Sequence, residues 1–130
     1  LMEEEKLRDD AFKALLAVGL EKFASVRADR LQHSELRFLE IARALMGRPK
    51  LLMLDEPAAG LSLEEIKKLG ELIKGIAKNG TAILLVEHHA DFIFSICDHV
   101  TVLNLGKPLA SDIPSVVRAH KEVISAYLGA

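Results

Sequence analysis

Leu51-Leu52-Met53-Leu54-Asp55-Glu56-Pro57 is the stretch on which the reading of this chain turns. A short, continuous apolar run with no polar alternation is the pattern of a strand covered on both faces in a parallel sheet. The run breaks off at Asp55-Glu56-Pro57. In open parallel sheets ligands bind beyond the carboxyl ends of the strands, so these carboxylates stand where chemistry is expected. Adjacent residues at a strand end project to different sides, which lets Asp55 face a metal and Glu56 face an attacking water.

Downstream, Ser62 with Glu65 makes a capping box that opens a helix with Ile66, Leu69, Ile73 and Ile76 as its buried stripe. Asn79-Gly80 ends it, and residues 81–86 form a second buried strand that runs into Glu87-His88-His89. A short helix carrying Phe92, Ile93 and Ile96 leads to a third strand at 99–103. After Gly106-Lys107-Pro108 two small helical segments are expected, the last with Val123, Ile124, Tyr127 and Leu128 on one side. Upstream, Ser34 is placed to cap a helix with Phe38, Ile41, Ala42 and Leu45 on one face and Arg37, Glu40 and Arg43 turned away. Gly47-Arg48-Pro49 stops that helix. Before it lie a polar connection at 21–30 and an amphipathic helix at 3–20, with Phe12, Leu15, Leu16 and Leu20 on one face. Strand, helix, strand, helix, strand implies right-handed crossovers and an α/β fold, a parallel sheet flanked by helices.

The 130 residues, half of them apolar, are enough for a real core. Seventeen basic and nineteen acidic residues are interleaved, giving net charge −2 and pI about 6.2. That argues against nucleic acid as the main partner. Cys97 is the only cysteine, so there is neither an internal disulfide nor a zinc ligand set, and a reducing, cytoplasmic setting fits. Every apolar run falls far short of the roughly 20 residues that span a bilayer. The acidic start, Leu1-Met2-Glu3-Glu4-Glu5-Lys6, is unlike a signal peptide and leads to the expectation that the chain is cut from something longer.

Leu51 through Pro57 resembles the Walker B segment of ABC ATPases, and Ala58-Ala59-Gly60-Leu61-Ser62 resembles the D-loop behind it. Leu84-Leu85-Val86-Glu87-His88 is similar to that family's switch-histidine loop, and Leu39-Glu40-Ile41-Ala42-Arg43-Ala44-Leu45 to the helix after its signature motif. The resemblance covers nearly all of the chain, with its motifs in the family's order. Within the family, the Glu-Ile-Ala-Arg-Ala-Leu helix, the Ala-Ala-Gly-Leu turn, the Val-Leu-Asn-Leu-Gly strand and the closing Ala-Tyr-Leu-Gly are most like ATPases of branched-chain amino acid importers. Importers of urea or short amides look similar.

The resemblance implies the C-terminal part of a P-loop NTPase of the ABC type. Residues 1–48 would then be a partial helical subdomain with the signature region, and 49–130 the C-terminal part of the ATPase core. It implies ATP and Mg²⁺ as cofactors. Asp55 would hold the metal through water, Glu56 would polarise the attacking water, and His88 would touch the γ-phosphate. Ala59, Gly60, Leu61 and Ser62 would lie along a partner ATPase subunit, although Ser62 sits where the family usually has Asp or Asn. Transmembrane permease subunits and a peripheral position on the inner face of the cell membrane follow from the same resemblance.

The chain departs from the family in two places. No Gly-x-x-x-x-Gly-Lys-Ser/Thr loop occurs, and Gly106-Lys107 is followed by Pro108. Without that nest of N–H groups and its lysine, the chain alone should bind ATP poorly or not at all. The signature, typically Leu-Ser-Gly-Gly-Gln, reads Leu31-Gln32-His33-Ser34-Glu35. Gln32, His33, Ser34 and Glu35 are the signature-region candidates, but both glycines that permit close backbone approach to phosphate are gone. Glu35 also places a carboxylate in that region. The alternative is therefore a non-hydrolytic interaction module that keeps the ABC fold and lacks the phosphate loop. A DNA-repair ATPase half would require heptads or a basic patch, and the sequence has neither.

Overall fold

The computed structural model describes residues 1–129. They form two compact units, Leu1–Val86 and the remainder from Glu87 onward. In the first unit, helix α1 (Met2–Ala17) packs on α2 (His33–Met46), with short 3₁₀ turns at Glu21–Phe23 and Ala28–Arg30 between them. Strand β1 (Leu51–Asp55), helix α3 (Leu63–Lys78) and strand β2 (Ala82–Val86) follow as a crossover unit. The strands pair in parallel from Leu51↔Ala82 to Asp55↔Val86.

Helix α3 forms as its sequence dictates. Ser62 Oγ accepts the Glu65 N–H at 3.2 Å while the Glu65 carboxylate accepts the Ser62 N–H at 3.0 Å. Leu69, Ile73 and Ile76 are buried, with Gly70 between them, while Ile66 is half-buried.

The α2 cap differs from expectation. Gln32, not Ser34, is the N-cap, and the Glu35 carboxylate accepts the Gln32 backbone N–H at 2.6 Å. The second half of the capping-box pattern thus overrides the preference for a hydroxyl at the cap. At the other end, Gly47 keeps a right-handed conformation and Arg48 takes the positive φ of 48° that terminates the helix. On α1, Phe12 and Leu16 are exposed and only Leu15 and Leu20 of the expected face are covered, so the stripe is partly unused.

The sheet departs further from the sequence reading. Leu52 is buried, but Leu51 is 50% exposed and Met53 69%, and on β2 Leu84 and Val86 are 53% and 54% exposed. One face of β1 and β2 is therefore bare, where an apolar run was expected to be covered on both sides. A contiguous apolar face of this kind favours association. At micromolar concentration the chain should sediment as dimers or larger species, and Met53→Lys should weaken that association by roughly tenfold or more, because burying a methionine is worth about 1.5–3 kcal/mol. Sedimentation velocity of the two proteins side by side decides it: a monomeric parent contradicts the expectation.

The second unit runs through α4 (Ala90–Ile96), β3 (Val100–Asn104), β4 (Lys107–Asp112), α5 (Pro114–Arg118) and α6 (Lys121–Val123), and ends in a π-helical turn at Ile124–Leu128. Strand β3 was expected to extend the parallel sheet. It pairs instead with β4 in an antiparallel hairpin, a strand that sequence reasoning did not foresee. Leu105 and Gly106 turn it, both with positive φ, as tight hairpins demand. The register steps from Val102↔Ala110 to Leu103↔Pro108, leaving Leu109 as a bulge. The core of this unit is Val100, Val117 and Val123, with Ile93, Phe94, Cys97, Val102, Ala110 and Leu128 packed around it. Tyr127 OH donates to the Leu103 carbonyl, and Ser111 Oγ lies 2.8 Å from Thr101 Oγ1 and 2.9 Å from His99 Nε2 across the hairpin.

Candidate functional site

Asp55 is the last residue of β1, paired with Val86, and its position is exposed. The next residue, Glu56, continues the ladder by one bond, its N–H donating to the Val86 carbonyl at 2.8 Å. To do so it takes a φ of +46°, a left-handed conformation uncommon for a residue with a Cβ. Such a conformation costs roughly 1–3 kcal/mol and persists only where the surroundings fix it. The strand bond above and the turn below fix it here.

That turn is compact. The Glu56 carbonyl accepts the Ala59 N–H and the Ala58 carbonyl accepts the Leu61 N–H, each at 3.2 Å, while Pro57 and Ala58 are buried beneath. Gly60, at φ +75°, makes the reversal that a residue with a side chain resists. Ser62 leaves the turn as the cap of α3.

Of the signature-region candidates, His33 meets this turn directly. Gln32 caps α2, Glu35 folds back onto the Gln32 N–H, and Ser34 is half-buried. The Glu35 carboxylate is thus engaged by its own helix terminus. His33 Nε2 lies 3.1 Å from the Ala59 carbonyl oxygen, joining the start of α2 to the turn after β1.

Arg37 was expected to point away from the core and does not. Its side chain is only 26% exposed, lies 3.6 Å from Glu40, and lines a groove with Ile41 and Ala44 of α2 against Leu52, Met53, Leu54, Asp55 and Pro57. Its spacing to Ile41 and Ala44, on one helical face, was the signal available in the sequence.

His88 belongs to the second unit and is exposed, its N–H donating to its neighbour Glu87 at 3.2 Å. The adjacent His89 plays a separate part. Its Nδ1 accepts the Phe92 N–H at 3.3 Å, capping α4, and its ring meets Phe92 edge-on. Burial, with the Asp98 carboxylate beside it, pushes the Cys97 thiol above its ordinary value, which disfavours the reactive thiolate.

Among the described residues no cluster of three or more His, Cys, Asp or Glu side chains is placed to hold a metal by itself. The lone carboxylate of Asp55 fits Mg²⁺, which keeps most of its waters and is commonly bound by one or two carboxylates together with substrate phosphates. No helix among the described residues is long and apolar enough to cross a membrane.

A parallel β1–α3–β2 crossover, an Asp-Glu pair at the strand end and a glycine turn into a capped helix are features of the ATP-binding cassette fold, and solved structures agree. Superposition on a crystal structure described as the ADP conformation of an ATP-binding cassette of an ABC transporter gives a TM-score of 0.86 at 26% identity, over 96% of this chain and 51% of that one. An ATPase from Clostridium perfringens, part of the ABC transporter complex cbiONQ, gives 0.84 at 31% identity, over 94% and 49%.

More particularly, the chain is similar to branched-chain amino acid transport ATP-binding proteins. It is 42% identical over 127 residues to BraF of Pseudomonas aeruginosa, covering 97% of this chain and 50% of that protein. To LivG of Escherichia coli it is 43% identical over 122 residues, covering 93% and 48%. The chain thus spans about half the length of these curated relatives. No family model matches it.

Proposed function

We propose that this chain is the C-terminal, Walker B-bearing part of the ATP-hydrolysing subunit of an ABC importer for branched-chain amino acids or a similar small polar solute. Residues 1–48 would serve as part of the helical subdomain and 49–130 as part of the ATPase core. The observation that carries the reading is Glu56, held left-handed at the end of β1 by the Val86 carbonyl, beside Asp55. Strain retained at a strand-end carboxylate is what a positioned general base looks like.

In this reading Glu56 accepts a proton from the attacking water as it approaches the γ-phosphate. Asp55 would hold Mg²⁺ through water, and the ion would supply charge neutralisation for the phosphates. His88 donates a hydrogen bond to the γ-phosphate, a role open to imidazole in either protonation state. Gln32, His33, Ser34 and Glu35, with Ala59, Gly60, Leu61 and Ser62, face a second ATPase subunit. Permease subunits hold the assembly to the cytoplasmic side of the membrane.

The test is calorimetric titration of Mg-ATP into this chain and into the same chain joined to the phosphate-loop half of a homologous subunit. Binding and turnover only in the joined protein support the reading. Tight binding by the chain alone, or a joined protein that binds and never hydrolyses, replaces it with the non-hydrolytic interaction module.

A further inference from the structure

His33 and Ala59 are 26 residues apart in sequence, and their contact links the segment entering α2 to the turn after β1. A carbonyl oxygen only accepts, so at 3.1 Å the imidazole Nε2 must carry the proton and donate. Gly60 makes room for the ring. A Cβ built there would stand 2.8 Å from His33 Nε2 and 3.3 Å from its Cδ2, so any side chain at position 60 would displace the imidazole.

The three residues are matched to one another. The positive φ of Gly60 turns the chain, the missing Cβ admits the ring, and the ring's N–H engages the carbonyl immediately before the glycine. The bond also sits at the centre of the turn's own hydrogen bonds. Ala59, whose oxygen His33 engages, gives its N–H to Glu56, and Leu61 gives its N–H to Ala58.

We propose that His33 is a positioning residue, a hydrogen-bonded latch that ties the start of α2 to the 56–62 turn so that the two segments move as one and Glu56 is held in register with them. This gives a purpose to the histidine that replaces a signature glycine. The glycine's usual virtue, close backbone approach, is exchanged for a fixed connection within the same chain. The consequence for ATP turnover rests on the function proposed above, whereas the latch itself does not.

The experiment is amide hydrogen exchange, followed by mass spectrometry, of the segment 56–62 in the parent chain and in His33→Ala, His33→Phe and His33→Gln. Loss of one such hydrogen bond should speed exchange at the Ala59 and Leu61 amides by about 2- to 10-fold in the Ala and Phe variants. His33→Gln, whose side-chain amide again offers an N–H, should bring the rate back towards the parent's. Equal rates in all four proteins overturn the latch. So does a Phe variant that behaves like the parent, since the ring would then act by bulk alone. An inactive joined protein counts against the proposed function and leaves the exchange rates to judge the latch.

Discussion

Glu56→Gln, made in the chain joined to a phosphate-loop half, should slow ATP hydrolysis by a factor on the order of 10²–10⁴, the usual contribution of a positioned general base, while leaving Mg-ATP binding intact. The substitution exchanges one carboxylate oxygen for an amide nitrogen at constant shape. The bond that fixes the residue runs from its backbone N–H to Val86, and so survives. The turn below it, from Ala59 to the Glu56 carbonyl, is also main chain and survives. What the substitution removes from the reaction is the carboxylate's capacity to take up a proton. Single-turnover hydrolysis beside a binding titration separates the two effects: retained turnover at unchanged affinity removes Glu56 from the role of base, and lost affinity shows that the carboxylate supports binding instead.

Leu69→Ala should lower the stability of the first unit by about 2–5 kcal/mol, the range for truncating a leucine in a closed core. Leu69 is 0% exposed, in the middle of the α3 stripe between Ile66 and Ile73. Its neighbours are held by a helix capped at Ser62, so the gap has little freedom to collapse. Leu63→Ala, on the same helix but 80% exposed, should change stability by less than about 0.5 kcal/mol. Urea titration of both variants checks the contrast. Equal midpoints would mean that α3 is not packed through Leu69 as the structure has it.

Local patterns were legible in the sequence wherever local physics decides. Ser62 with Glu65 and the stripe through Leu69, Ile73 and Ile76 specify α3 without help from elsewhere, and Leu51 through Leu54 specify a strand. The Asp55-Glu56 end of that strand followed, because chain order alone puts those residues at its carboxyl edge.

What the sequence hid depends on partners or on backbone geometry. Strand β4 contains Pro108, Ser111 and Asp112, a composition that argues against a strand until a bulge and a hairpin turn accommodate it. The cap of α2 falls two residues before the expected Ser34, because Glu35 folds back onto the Gln32 N–H and so selects Gln32. The left-handed conformation of Glu56 leaves no mark on composition, and neither does the reach of His33 to a carbonyl far along the chain. An apolar strand run reports how much cover the strand can take. It does not report whether these residues supply that cover, which is why Met53 and Leu84 look buried in the sequence and stand exposed in the structure.

The bulge at Leu109 and the proline beside it bear on how the chain meets its own kind. A strand edge recruits another strand through its row of free N–H and C=O groups, and Pro108 offers no N–H while the bulge throws the neighbouring residues out of line. The β3–β4 hairpin is therefore a poor template for growth into a longer sheet. Its tip, with Leu105 in a tight reversal, closes the other end. Edge-to-edge addition of a further strand at β4 is therefore disfavoured, and the bare apolar face of β1 and β2 is the more favourable surface for self-association.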